Sequence, residues 1–287
     1  MSAVYKKELH AYFKGFIGYL FCAFILLFAG IYTMAINFSA QYASFEYVMA
    51  NMSFIYLIAI PVLTMRSVAE ERRQRTDLLL YSLPVGMTKV VLGKYFALLT
   101  VLAVPCAIIG LYPLYLKTLG PVSLAASYGS LLAFFLLGAA LIAIGLFISS
   151  LTENQAISAV LCFGVMLILY FIGALAFYIP GTAKASFFAF LILIFVLAVA
   201  FDSVVKNLIA SVCVCGVLAG ALVAVLVIRP EWLEGAFPAL MGELSMFDVF
   251  SGFAGGLFDL AGIVYFISIA GFFVFLTVQA MEKRRWS

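Results

Sequence analysis

The residues with the most chemical capacity lie in one short stretch, Arg66-Ser67-Val68-Ala69-Glu70-Glu71-Arg72-Arg73-Gln74-Arg75-Thr76-Asp77. Paired carboxylates among arginines suit two kinds of chemistry. Glu70-Glu71-x-x-x-Arg75 matches the glutamate pair and arginine of intramembrane prenyl-protein proteases. That chemistry needs histidines on other spans to hold a metal or activate water. This chain has a single histidine, His10, close to the N-terminus, so the histidine set is missing. The second chemistry is recognition, in which ionised side chains make charge-assisted hydrogen bonds to a partner protein. No Gly-x-x-x-x-Gly-Lys-Ser/Thr phosphate loop occurs, so the chain has no ATP site of its own. The five cysteines lie in apolar runs without Cys-x-x-Cys spacing and read as small packing residues. No cofactor and no metal is expected.

The charged stretch follows an apolar run and then turns apolar again, too briefly to cross a membrane. Leu79, Leu80 and Leu83 recur at helical spacing, and Pro84 disfavours helix at Leu83. The pattern predicts one short amphipathic helix over Glu70–Leu83. A solvated loop would not expose four leucines to water. Glu70 and Glu71 would stand at the helix start, where negative charge suits the dipole. Arg72, Arg73 and Arg75 would be available to acids on a partner.

Composition sets the environment of this helix. Charged residues are 10% of the 287 and mean hydropathy is +1.22. Soluble domains carry about 25% charge, so the bilayer must be the solvent for much of the chain. Its length then counts spans of about 20 apolar residues. Candidates are Phe16–Ile36, Ser53–Met65, Val90–Leu114, Ser123–Ser150, Ala156–Tyr178, Ser186–Phe201, Leu208–Ile228 and Leu260–Gln279. The second is short and holds Pro61, which kinks a helix. The sixth is short enough to be an arm of a re-entrant hairpin. The first is too long for a signal-peptide core of about 7–15 residues and is expected to stay in the protein.

Lysine and arginine accumulate on the cytoplasmic side. With both termini inside, Lys117, Lys184 and Arg229 fall outside and the other 13 of the 16 basic residues fall inside. Six spans give the same parity as eight. Residues 229–259 contain Trp232, Pro230 and Pro238 among acids and glycines. They are too polar to span simply and fit interfacial or re-entrant helices outside the membrane. Gly216-x-x-x-Gly220 and Gly252-x-x-x-Gly256 are spacings that let helices approach closely. Asp202 and Lys206 read as a wet inner turn. Val4, Leu9, Tyr12 and Phe13 alternate with Lys6, Lys7 and Lys14, as in a helix lying on the membrane surface.

Three blocks in order carry a family resemblance. Thr64-Met65-Arg66-x-x-Ala69-Glu70-Glu71-Arg72-Arg73, with Leu78-Leu79-Leu80-x-x-Leu83-Pro84-Val85 and Leu92-Gly93-Lys94-Tyr95, forms the first. Gly145-Leu146-Phe147-Ile148-Ser149-Ser150-Leu151-Thr152-Glu153-Asn154-Gln155 forms the second, and Phe275 to Trp286 the third. The chain resembles the permease subunits of ABC exporters of the ABC-2 type, in the branch that includes gliding-motility and copper-enzyme-maturation permeases. Two extra apolar segments between Lys184 and Ile228 depart from that family's six-span pattern.

The resemblance implies an all-α polytopic membrane protein, a bundle of six to eight transmembrane helices forming one permease domain over 1–287. It implies an elbow helix over 1–15, a cytoplasmic coupling-helix loop over 66–89 and the extracytoplasmic segment 229–259. The implied ATPase-coupling residues are Glu70, Glu71, Arg72, Arg73, Arg75, Asp77, Leu79, Leu80 and Leu83. Glu153, Asn154 and Gln155 would form a second inner turn, where Thr152-x-x-Gln155 also reads as a capping box. ATP hydrolysis would come in trans from two cytoplasmic ABC ATPase subunits. The other implied partners are a second permease copy, like or unlike, membrane lipid and room for an accessory extracytoplasmic subunit. No nucleic acid is expected. The implied location is the cell membrane. An ATPase-independent secondary transporter or channel is the alternative. It should show paired charges at mid-membrane depth or inverted repeats, and the sequence has neither. The charge asymmetry makes a direct prediction: a label substituted at Gln74 should be unreachable from outside intact cells, and labelling there from outside would invert the topology.

Overall fold

The computed structural model describes residues 1–75, 86–205, 208–254 and 259–285. Asp77, Leu79, Leu80 and Leu83 therefore lie outside the described residues, as do Lys206 and Gly256. The described residues are helical with no strand among them. The contacts divide the chain into two compact units, Met1–Ile168 together with the chain from Val249 onward, and Leu169–Asp248.

In the first unit, α1 (Ser2–Lys14) leads through Gly15 into α2 (Phe16–Thr33). The chain returns through α3 (Glu46–Met52), a 3-10 turn and α4 (Tyr56–Thr64), then bends into the five-residue α5 (Ala69–Arg73). It continues with α6 (Met87–Ile109), α7 (Tyr112–Leu119), α8 (Leu124–Leu151) and the start of α9 (Gln155–Tyr178), and finishes with α14 (Leu260–Arg285). The second unit pairs α10 (Ala183–Val205) with α11 (Leu208–Ile228) and adds α12 (Ala236–Leu244) and the first three residues of α13 (Met246–Ala254).

Six helical stretches among the described residues are long and apolar enough to cross a membrane: Phe16–Ser39, Glu46–Arg73, Met87–Leu119, Leu124–Leu151, Gln155–Tyr178 and Leu260–Arg284. Gly216–Ile228 and Pro230–Leu244 form a pair bent by 120° that could supply a seventh. Among the described residues the count is thus six, or seven with the bent pair, within the six to eight expected. The two additional apolar segments are the α10/α11 pair of the second unit, and residues 230–254 are short helices, as their prolines and glycines favour.

The core of the first unit is α8. Its sequence is apolar all round, which suits a helix buried on every side, and it packs against α3, α4, α6 and α14. Gly138 and Gly145, one heptad apart, face α4. A Cβ at Gly145 would stand 2.4 Å from Thr64 Oγ1, and one at Gly138 would stand 2.8 Å from the Tyr56 hydroxyl. Tyr56 stacks on Phe134 at 4.3 Å and donates to the Phe134 carbonyl at 3.1 Å, which anchors the same contact. These two glycines, rather than the Gly-x-x-x-Gly spacings, carry the close approach. Gly216, Gly220 and Gly252 have no atom within 4 Å of an added Cβ.

Gly145→Ala should therefore cost about 1–3 kcal/mol by overpacking, read as a lower thermal midpoint in detergent. Gly216→Ala should leave the midpoint unchanged or slightly raised. Equal responses at the two positions would contradict this packing.

Candidate functional site

The site is built where four helix ends of the first unit meet. The helix of α4 stops at Thr64, Met65–Val68 turn, and α5 begins at Ala69. Beside this turn lie α1 and the first two turns of α6. Gly93 lets α1 come close, since a Cβ there would sit 3.1 Å from the Val4 side chain.

One residue along, Lys94 is buried to 1% side-chain exposure. Its Nζ reaches Glu8 Oε1 of α1 at 2.8 Å, Glu71 Oε2 of α5 at 2.9 Å and the carbonyl of Ser67 at 2.8 Å. An ammonium has three N–H donors, and three acceptors from three elements take them. Lys7 adds a second cation on Glu71 at 3.3 Å, at the exposed rim. Arg66 pairs with Glu70, which also accepts from Gln74 at 3.2 Å. Lys7, Glu8, Ala11, Tyr12, Arg66 and Gln74 line a cleft of about 280 Å³ over this cluster. Tyr12, buried, donates to the Leu63 carbonyl at 3.1 Å. Burial, then the nearby Glu8 carboxylate, raises its hydroxyl well above the ordinary tyrosine range, so it stays a neutral donor.

The turn has a second clamp. Ser149 Oγ, on the last turns of α8, accepts from the backbone N–H of Val68 at 3.2 Å and of Ala69 at 3.1 Å. It donates to the Met65 carbonyl at 3.4 Å. Two residues beyond α8, Glu153 pairs with Arg284 near the end of α14 at 3.3 Å, on the surface. The starts of α2 and α6, the ends of α4, α8 and α14, and all of α1 thus share one end of the unit.

The expected site residues divide. Glu70 and Glu71 are half-buried and turned to cations of the same chain. Arg72 is buried, while Arg73 and Arg75 are exposed. The single helix expected over Glu70–Leu83 is interrupted: α5 ends at Arg73, and Arg75 has φ 55°, a left-handed conformation that stops a helix. Asn154, not Thr152, caps the next helix. Helix α9 starts at Gln155, so the Asn154 side chain is the one placed to accept from Ala156 N–H, at 2.9 Å. Thr152 Oγ1 has no hydrogen-bond partner among the described residues. In α1 the buried face includes Glu8 along with Tyr12, so it is not the purely apolar face its spacing suggested. His10 is exposed. No group of three metal-ligating side chains occurs among the described residues.

Sequence reasoning missed Lys94 and Ser149 as anchors. Lys94 carried a usable signal, because a lysine inside an apolar run demands a partner. Ser149 carried none, being one serine among several at a helix end. Removing the ammonium leaves Glu8 buried without its cation and leaves Glu71 with only the rim contact of Lys7. Lys94→Met should cost about 3–5 kcal/mol, seen as a fall in thermal midpoint in detergent. Neutralising the partners together, in Glu8→Gln/Glu71→Gln/Lys94→Met, should recover much of the loss. A single variant as stable as the parent would refute the buried network.

Comparison with known proteins fits this geometry to a family. No curated protein matches the chain. The family profile described as ABC-2 family transporter protein matches residues 3–228, which takes in α1, the turn 65–68, Lys94 and the 149–155 segment. The chain is a multi-pass membrane protein and belongs to the ABC-2 family of transporter proteins.

Proposed function

We propose that this chain is the membrane-spanning permease subunit of an ATP-driven exporter, in the branch of gliding-motility and copper-enzyme-maturation permeases. Two permease copies, like or unlike, form the path, and two separate cytoplasmic ATPase subunits drive it. The segment from Glu70 through Leu83 is the coupling element. It lies on the cytoplasmic side of the cell membrane with both termini, and residues 229–259 lie on the other side.

The observation that carries this reading is the three-way grip of Lys94. Elbow helix, coupling turn and span α6 share one buried ammonium, so a push on α5 displaces all three together. The division of charge supports it further. Glu70 and Glu71 are held by cations of the chain itself, while Arg73 and Arg75 are exposed to meet acids on another surface. A secondary transporter would instead place its paired charges at mid-depth in the bundle, whereas this cluster sits at one end.

Docking is tested at residues outside the internal network. A charge-assisted contact contributes about 1.5–3 kcal/mol, and a buried leucine about 1.5–3 kcal/mol. Arg73→Glu and Leu80→Asp should each weaken recovery of the co-eluting ATPase by at least about tenfold, with membrane insertion intact. ATPase recovery equal to the parent in both variants would reduce the segment to a positively charged loop.

A further inference from the structure

The bend between α4 and α5 exposes backbone groups that neither helix satisfies, and at a helix end in an apolar setting each needs a partner. The residue before α5 is Val68, which has no side-chain oxygen to cap the helix that follows. Ser149 supplies the missing oxygen from another helix, about 80 positions along the chain. One hydroxyl receives two consecutive N–H groups and returns its proton to the Met65 carbonyl. Between those contacts, the Ser67 carbonyl belongs to Lys94. The four-residue turn is thus gripped by α6 through its carbonyl and by α8 through its amides. Ser149 is fully buried, so water is not available to replace it.

We propose that Ser149 is a positioning residue for energy transfer: it fixes α5 to the end of α8 so that the two move as one body. A displacement of the coupling segment then enters α8 directly, and α14 through the packing of α8 and the Glu153–Arg284 pair, in parallel with the route through Lys94 into α6. The role rests on the coupling function proposed above. It adds a path into α8, whereas the ion pairs of Glu70 and Glu71 reach Arg66 of the turn, Lys7 of α1 and Lys94 of α6. A capping serine on α5 itself would stabilise the helix without linking it to anything. This cap comes from a second span and is lost if the two helices separate.

The test uses the full chain with its ATPase in lipid nanodiscs, as parent, Ser149→Ala and Ser149→Thr. Hydrogen exchange at the Val68 and Ala69 amides should quicken by roughly two- to tenfold in Ser149→Ala, the loss of one ordinary hydrogen bond, and return toward the parent in Ser149→Thr. Spin labels on non-natural side chains at Gln74 and Leu151, chosen because of the five native cysteines, report the separation of the two bodies. In the parent that distance should be the same without nucleotide and with ATP trapped by vanadate. In Ser149→Ala it should broaden and shift on ATP, and Ser149→Thr should behave as the parent. Exchange and distances in Ser149→Ala equal to the parent would overturn the proposal, as would a parent distance that itself changes on ATP. A parent chain that recruits no ATPase would instead sink the coupling function, and the exchange rates of the chain alone would still decide whether Ser149 holds the helices together.

Discussion

Everything at the functional end of this protein depends on one constraint, the burial of a single ammonium. Lys94 sits at 1% exposure, and an ion taken from water to that depth is costly unless each donor is matched. Three acceptors match it, and they come from α1, α5 and the intervening turn. Withdrawal of any one leaves a donor of the buried ammonium unmatched. The elbow, the turn and α6 are therefore held in one arrangement, even though α5 has only five residues and could not hold its own position.

Helix α8 provides the complementary rigidity. Glycines at 138 and 145 bring it against Tyr56 and Thr64 on the second span, and the Tyr56 ring and hydroxyl lock that approach. Thr64 is the last residue of α4, and the turn begins immediately after it. The close packing of α8 on α4 thus ends where Ser149 begins to hold the turn. The apolar contact fixes the register of the two helices, and the serine uses that register to reach Val68 and Ala69. A shift of one turn, about 5.4 Å, would put Ser149 out of reach of both amides. Polar specificity here is a consequence of apolar packing a few residues away.

The spans were legible in the sequence because a bilayer leaves few alternatives: long uncharged runs must be helices, and their ends follow the charges. The amphipathic N-terminal helix, the charged turn after the second span and the turn after the fourth were legible for the same reason. Charge alone did not tell which side of the coupling segment faces inward. Glu71 and Arg73 are two residues apart and chemically equal candidates for a partner. Only the position of Lys94, fixed by Gly93 and the path of α1, sends Glu71 inward and leaves Arg73 outside. The continuous helix expected over Glu70–Leu83 failed at Arg75, whose left-handed backbone no propensity rule assigns to arginine. The capping box at Thr152 failed because helix α9 begins later than its pattern implied, which makes Asn154 the cap. Short polar patterns fix an element's existence better than its first residue.

The two clamps also differ in the kind of bond they use. The Lys94 contacts are charge-assisted hydrogen bonds of 2.8–2.9 Å, a stronger class than neutral ones. The Ser149 contacts are directional hydrogen bonds near 3.1–3.4 Å, and such bonds weaken steeply beyond that range and at poor angles. In the coupling proposed above the two clamps act in parallel, Lys94 tying α5 to α1 and α6 and Ser149 tying it to α8. That pairing extends the proposed path into α8, the helix with the widest packing in the unit. The Lys94 network also explains why Glu71 faces inward. A carboxylate used for docking could not also compensate Lys94, and the internal network would come apart each time a partner bound.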